Sequence, residues 1–424
     1  MFDIFLRKLK LTFTDPEIRK RIFVVIAALA FFRFLAAIPI PGVNHARLAE
    51  FFANNQFMGL LNIFSGGGLA HLSVMMLGVA PYINASIIMQ VATIVFPKVK
   101  EAYFEEGEAG RTKFIQWSRI LTIPLAIAQG IGFLILLQNQ GILPHLGLLQ
   151  FSANVALVAG GSFLLTWVGE LITEFGIGNG VSLIIFAGIV ASLPSSVSHA
   201  LYVATSSDIP SYLGFLAISL GVIYAVVVVS DAERSLPIAY ARAQRGDAMQ
   251  QGAATYLPIR ILQAGVIPII FALSLLLLPQ MALSMLSAVG VAGVASVSAW
   301  YASFVANPWQ YGALYFLLVI VFTYFYTAIT FDPKRISEDL QKSGAFIPGV
   351  RPGNETEKYV NAVVNRVTLP GAVFLGLIAV APFIIQGLTG ITTFLIGGTA
   401  LLIVVQVVLE LVLKIDAQIS LREY

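Results

Sequence analysis

Residues 312–329 read GALYFLLVIVFTYFYTAI, eighteen consecutive residues without a formal charge. A helix rises about 1.5 Å per residue, so such a run covers most of the ~30 Å hydrocarbon core of a bilayer. A transmembrane barrel would show segments of about ten residues alternating in polarity. Here, and again from Phe23 to Ile38, the apolar character is continuous, and in lipid a helix satisfies every backbone group within such a run. The rest of the chain agrees: 424 residues that are 58% hydrophobic and 11% charged, with a mean hydropathy of +0.86, do not make a water-soluble domain.

Hydropathy marks ten candidate spans: Ile22 to Ile40, Leu72 to Phe96, Ile115 to Leu137, Ala153 to Ile172, Val181 to Ser198, Tyr212 to Ser230, Ile259 to Pro279, Tyr311 to Thr330, Val367 to Gly387 and Thr392 to Leu413. With the N-terminus in the cytoplasm, six Lys/Arg precede span 1, and five lie between spans 2 and 3 or, as Arg119, in the first turns of span 3. Four more lie between spans 6 and 7 or, as Arg260, at the very start of span 7, with six between spans 8 and 9 and two after span 10; of the 25, only Arg33 and Arg47 fall elsewhere. The positive-inside rule therefore places both termini in the cytoplasm of a multi-pass protein. In residues 1–21, Phe2, Phe5, Leu6 and Leu9 at helical spacing, with Arg7, Lys8 and Lys10 between them, predict a helix lying on the cytoplasmic surface. Asp15 followed by Pro16 predicts the N-cap and first turn of the next helix.

Ten spans divide into five and five, and an odd number per half makes the second half enter from the opposite side, as inverted repeats do. The expected fold is an all-α polytopic membrane protein, ten transmembrane helices in two inverted five-helix halves, residues 22–200 and 201–424, around a central pore. A re-entrant plug helix completes it. That last element comes from Phe57 to Leu72, FMGLLNIFSGGGLAHL: an apolar segment too short to span, then three glycines, then a true span. Non-helical backbone at membrane depth is tolerated where it lines a cavity. In the span that follows, Pro81 predicts either a kink or a bend.

Several chemistries are missing. The chain has no cysteine, and His45, His71, His145 and His199 are too scattered for metal-ligand spacing. All eight aspartates fall outside the spans. Glu170, Glu410 and Arg33 lie near span ends, where snorkelling or a structural pair accounts for them. No phosphate-binding glycine loop or nucleophile constellation is present. The expectation is therefore no catalytic residues, no metal and no cofactor, with energy supplied by a cytoplasmic partner.

The residues then become specific. IPIPGV (38–43), FSGGGL (64–69), GVAPYINASIIMQ (78–90), GIGNGVSLIIFAGI (176–189), AGVIPIIFA (264–272), KSGAFIPGVRPG (342–353) and GGTALLIVV (397–405) stand in order along nearly the whole chain. In this the chain resembles the SecY family, the channel-forming subunits of bacterial Sec protein translocases. The resemblance implies a protein-conducting channel in the bacterial cytoplasmic membrane that translocates unfolded secretory polypeptides and releases hydrophobic segments sideways into lipid.

It also implies site residues. A pore ring would fall on Val79, Ile83, Val181, Ile185, Ile270 and Ile403; the first two pairs are four apart and share a helix face, and an apolar collar can dewet when empty. The plug, about 59–70, would include Leu60, Ile63 and Phe64, with Gly66, Gly67 and Gly68 as its hinge. Spans 2 and 3 would face spans 7 and 8 across a lateral gate carrying Ser86, Gln90, Thr93 and Gln129, with Leu278 on span 7. The cytoplasmic loops 231–258 and 331–366 would dock the motor ATPase SecA and the translating ribosome through Arg234, Arg242, Arg245, Lys342 and Arg351, Arg351 foremost. Small SecE-like and SecG-like subunits, preproteins with their signal sequences, and membrane lipid complete the expected partners. Two departures stand out: Leu262 where such proteins often carry asparagine, and Ser235 where a second consecutive arginine is usual. The competing class, an inverted-repeat transporter for a small solute, calls for a polar binding site at mid-membrane, which the spans do not offer.

Overall fold

The computed structural model describes residues 15–41, 47–48, 62, 65–69, 71–104, 107–203, 209–240, 255–263, 265, 267–288, 293–389 and 393–420. Leu60, Ile63, Phe64, Arg242 and Arg245 lie outside the described residues.

The first helix, α1 (Pro16–Ala36), starts as its sequence dictates. Asp15 Oδ1 accepts the backbone N–H groups of Glu17 and Ile18 at 2.8 and 3.2 Å, and Pro16 occupies the first turn, where no donor is needed. Helices α2 (Ala80–Val95) and α3 (Pro97–Phe104) follow, with a 109° bend between them. Then come α4 (Gly107–Asn139), α5 (Leu148–Phe175), α6 (Gly180–Val203) and α7 (Ile209–Asp231). After strands β1 (Glu233–Tyr240) and β2 (Thr255–Arg260), the chain continues through α8 (Ile267–Ala288), α9 (Val294–Ala306), α10 (Pro308–Thr330) and α11 (Pro333–Lys342). Strand β3 (Ala345–Phe346) leads into α12 (Asn354–Thr389) and α13 (Thr393–Ser420).

Helices occupy all ten apolar runs: α1, α2, α4 to α8, α10, α12 and α13. Of these, α4, α5, α10 and α12 are each long and apolar enough to cross a membrane on their own. The chain is an all-α polytopic membrane protein across its spans. One extended cluster of buried apolar residues joins the helices, running from Phe32 on α1 through Ile184 on α6 and Ile269 on α8 to Ile403 and Val407 on α13.

Two spans differ from the sequence expectation. Span 2 begins at Ala80 rather than Leu72: residues 71–79 form turns, with Leu72 and Gly78 at positive φ, held by backbone bonds from Ile40 N–H to Leu72 O and from Val74 N–H to Ile38 O. Pro81 is thus a first-turn proline, where its missing donor costs nothing, and not a mid-helix kink. Span 7 begins at Ile267 rather than Ile259, because Ile259 belongs to β2. Hydropathy alone does not separate a buried strand from the start of a span.

The small sheet is the other departure from an all-helical expectation. Its order is β2-β1-β3, antiparallel throughout, with Leu236 opposite Leu257 and Ala239 opposite Phe346. It joins the described parts of the two long loops, 231–258 and 331–366, through paired strands. Leu236, Ile259 and Ile347 pack with Val360 and Val364 of α12 in a separate apolar core.

Candidate functional site

Of the six residues expected to ring the pore, Val79 caps α2 and Ile83 lies one turn on; Val181 and Ile185 lie in the first turns of α6, Ile270 in the first turn of α8, and Ile403 on α13. Five are buried in the main apolar cluster and Val181 packs against it; Val79, Ile185 and Ile403 expose no surface at all. Ile83, Val181 and Ile270 meet at one cavity, while α2 packs on α8 and α6 on α13.

That cavity, of about 600 Å³, has Ile83, Val181 and Ile270 in its walls. The rest of the wall mixes apolar Ile115, Ile267 and Phe271 with polar side chains, among them Tyr82, Ser86, Gln90, Arg119, Glu170, Glu174 and Asn179. Arg119 Nε donates to Glu170 Oε1 at 2.6 Å, tying α4 to α5. The Tyr82 hydroxyl pairs with Ser86, and Asn179 Oδ1 accepts the Ser182 N–H at 3.2 Å at the start of α6. Arg119 lies inside span 3 even when that span is started at Ile115; α4 begins at Gly107 and carries Arg119 on the helix, so it is not a loop cation. Its signal was an opposite charge, Glu170, flanking the neighbouring span. Glu410, the other acidic group near a span end, pairs with Lys414 one turn along α13 at 2.7 Å.

The gate residues divide. α2 packs on α4 and on α8, and α4 on α8, so spans 2 and 3 do face span 7. Span 8 closes the same crevice: Gln90 and Ile115 share a further cavity of about 570 Å³ with Tyr326, Ile329 and Thr330 of α10. Ser86 and Gln90 line the cavity walls, and the Gln90 Oε1 is buried without a hydrogen bond. Gln129 is buried with neither amide atom bonded. A buried amide of this kind costs about 1–3 kcal/mol, which an opening seam recovers by hydration. The buried Thr93 donates its hydroxyl to Gln90 O of its own helix at 2.7 Å. Leu278 is half-buried on α8 beside Pro279. Leu262 lies in the turn before α8, buried in the main apolar cluster, so that position does not sit on the gate helix.

Within the plug segment, Gly66 and Gly67 adopt positive φ of 63° and 85°, which L side chains rarely accept. Space is as tight as the backbone. A Cβ on Gly66 would meet the Phe32 ring, one on Gly68 the Met75 carbonyl, and one on Gly188 of α6 the Gly66 backbone itself. Arg33 Nη1 donates to Gly66 O at 3.2 Å. The glycines here build a fitted seat between α1 and α6; sequence reading found in them only freedom to hinge, and placed Arg33 merely near a span end. A prediction follows from the Gly188 contact. Gly188→Val should unseat residues 65–69, with an overpacking cost of about 1–3 kcal/mol, and raise the resting ion leak of the reconstituted protein; a leak equal to wild type would show that this seat does not seal anything.

In the two loops that form the small sheet, Arg234 and Ser235 are exposed on β1, and Lys342 and Arg351 are exposed at either end of the 343–350 turn region. Lys342 stands 3.8 Å from Glu338 one turn earlier. The Arg351 backbone is pinned: its carbonyl accepts the Thr356 hydroxyl at 2.9 Å, and Ser337 donates to Gly353 O at 2.7 Å. Arg351 is therefore presented on a rigid projection.

Comparison with known proteins adds to this geometry. The SecY family model matches residues 73–412. Protein translocase subunit SecY of Thermotoga maritima is 39% identical over 427 residues, covering 98% of this chain and 96% of that protein. The subunit of the same name from Mycobacterium tuberculosis is 39% identical over 428 residues, 96% of each. A solved protein-conducting channel superposes with a TM-score of 0.67 at 18% identity, over 94% of this chain and 92% of that one. Sec61 from a canine ribosome-channel complex of the endoplasmic reticulum gives 0.64 at 17% identity, with the same coverage.

Proposed function

The chain belongs to the SecY family of protein translocase subunits, and from that membership we propose that it is the protein-conducting channel of a bacterial cytoplasmic membrane, with both termini in the cytoplasm. The observation that supports this reading is that α2, α6 and α8 bring the branched apolar residues Ile83, Val181 and Ile270 to one cavity, with Ile403 of α13 buried in the same apolar cluster. An unfolded chain is a mixture of all side-chain types, and a conduit for it must close around each without holding any. Branched aliphatic side chains do that: they offer no hydrogen bonds, and when nothing passes they exclude water and ions. Of the charged groups at the cavity wall, Arg119 and Glu170 pair with each other.

In this account the two halves, 22–200 and 201–424, clamp the path, and residues 59–70 plug it at rest. Hydrophobic segments leave through the seam between α2/α4 and α8/α10. There the unbonded amides of Gln90 and Gln129 make the closed seam less stable than an apolar one. Partitioning into lipid then selects what leaves, since each buried CH₂ is worth about 0.8 kcal/mol. The fused cytoplasmic sheet with Arg234, Lys342 and Arg351, together with Arg242 and Arg245, is the surface for SecA and for the ribosome, whose phosphates suit guanidinium contacts. SecE-like and SecG-like subunits bind at the periphery. Nothing here requires the chain to be an enzyme.

The absence of cysteine makes a direct test simple. With Ile83→Cys as the sole thiol, a precursor arrested midway and carrying one cysteine at the matching depth should form a disulfide to the ring position. Capture at a lipid-facing control, Ile26→Cys, without capture at Ile83→Cys would place the path elsewhere.

A further inference from the structure

From Ile261 to Phe331 the chain contains no Asp, Glu, Lys, Arg or His. Two spans explain most of that stretch, but α9 lies between them, in a connection that a water-exposed loop would furnish with charge. Helix α9 is also firmly placed. Asn307 ends it and at the same time caps α10, accepting the Trp309 N–H at 3.1 Å, so a single residue separates the two helices. The Tyr301 hydroxyl donates to Leu276 O of α8 at 2.6 Å, close to the turn disrupted by Pro279.

What α9 turns outward is aromatic. Val297 and Trp300 are 50% and 65% exposed, and Trp300 stacks on Phe304 at 6.1 Å. Residues 297, 300 and 304 share one helix face. Beside them Ser303 returns its hydroxyl to Trp300 O at 2.7 Å, leaving that donor satisfied within the helix. Trp309, 55% exposed, stands at the start of α10 and packs near Gly387 at the far end of α12. The other two tryptophans of the chain, Trp117 and Trp167, are also exposed and lie toward the opposite ends of α4 and α5. Tryptophan is enriched at the two membrane–water interfaces, and two at each end of the bundle mark both.

We propose that α9 lies in the bilayer interface at the α8/α10 end of the molecule, with Val297 and Trp300 seated among the lipid headgroup and upper acyl regions, Phe304 packed back on the helix bundle, and Tyr301 tying that seat to span 7. The occupant of this face is lipid. With no charge on or near it, the helix is held by its apolar and aromatic surface and not by attraction to anionic headgroups, which sets it apart from basic surface helices. This inference needs only that the chain spans a bilayer, so a failure of the channel reading would leave it standing.

The test uses the full chain in phosphatidylcholine vesicles, with Trp117, Trp167 and Trp309 each replaced by Phe so that Trp300 alone reports. Emission should be lost to lipids brominated just below the headgroup more than to deeply brominated lipids or to aqueous iodide. Added phosphatidylglycerol or high salt should not change this. Strong iodide quenching without bromolipid quenching, strongest quenching at the bilayer centre, shielding from all quenchers, or a seat that appears only with phosphatidylglycerol would each overturn the proposal. If the triple replacement impairs folding, Val297→Cys in the otherwise cysteine-free chain, labelled with an environment-sensitive dye, gives the same readout with all four tryptophans in place.

Discussion

Arg351→Glu should abolish SecA-driven transport while leaving the protein inserted, folded and assembled. The side chain is exposed, whereas the structural bonds at this position belong to the backbone, whose carbonyl is held by Thr356. Charge reversal therefore removes a partner contact without touching the turn. Losing one member of a buried charge pair at an interface costs about 2–5 kcal/mol, and repulsion adds to it; at about 1.4 kcal/mol per tenfold, motor binding should fall by about 30-fold or more. SecA binding to the reconstituted protein and transport of a secretory precursor are the measurements. Normal binding with normal transport would remove Arg351 from the docking surface. The exposed Arg234 lies on β1, which pairs directly with β2 and, through Ala239 and Tyr240, with β3, so Arg234, Lys342 and Arg351 belong to one platform.

The second large effect belongs to the collar. Ile403→Asn places an amide where Ile403 now exposes no surface, and a buried amide without partners costs about 1–3 kcal/mol. The closed constriction loses that amount relative to a hydrated one, so its open probability should rise by about 10- to 100-fold. Resting ion conductance in planar bilayers should increase, and precursors with weakened signal sequences should pass more readily. Unchanged conductance together with unchanged stringency would mean that Ile403 packs a helix and rings no pore. Gln406, buried one turn away with its Nε2 unbonded, is positioned to hydrate the opened collar further.

Sequence carried the spans because lipid imposes them. Runs of apolar residues are read directly by the bilayer, and a helix occupies each of the ten runs in the structure. The Asp15–Pro16 start was legible for a similar reason, since a cap is a local hydrogen-bonding problem. What escaped were contacts between segments remote in sequence. Span 2 starts late because residues 38–40 capture residues 72–74 through backbone bonds, and hydropathy does not register such pairing. Pro81 was ambiguous until that boundary was known. The sheet was hidden because β1 and β2 are short and border a span, and β3 is only two residues long.

The collar residues were named through resemblance; taken singly, a valine or isoleucine on an apolar helix is ordinary packing. That Ile83, Val181 and Ile270 line one cavity is a tertiary fact. The same holds for Arg33 and Gly188, whose meaning comes from Gly66 lying between them, and for Arg119, whose partner is 51 residues away. The Thr93 hydroxyl bonds its own helix backbone, a contact that a polar residue on an apolar helix commonly makes.

The central claim is that this chain conducts polypeptide. The most direct measurement places it, with a SecE-like subunit, in proteoliposomes and adds SecA, ATP and a radiolabelled secretory precursor. The account predicts precursor that becomes protease-protected only when ATP is present, and protection that disappears when the vesicles are dissolved in detergent. No protected product from a folded complex, with the same SecA active on a control channel, would contradict it.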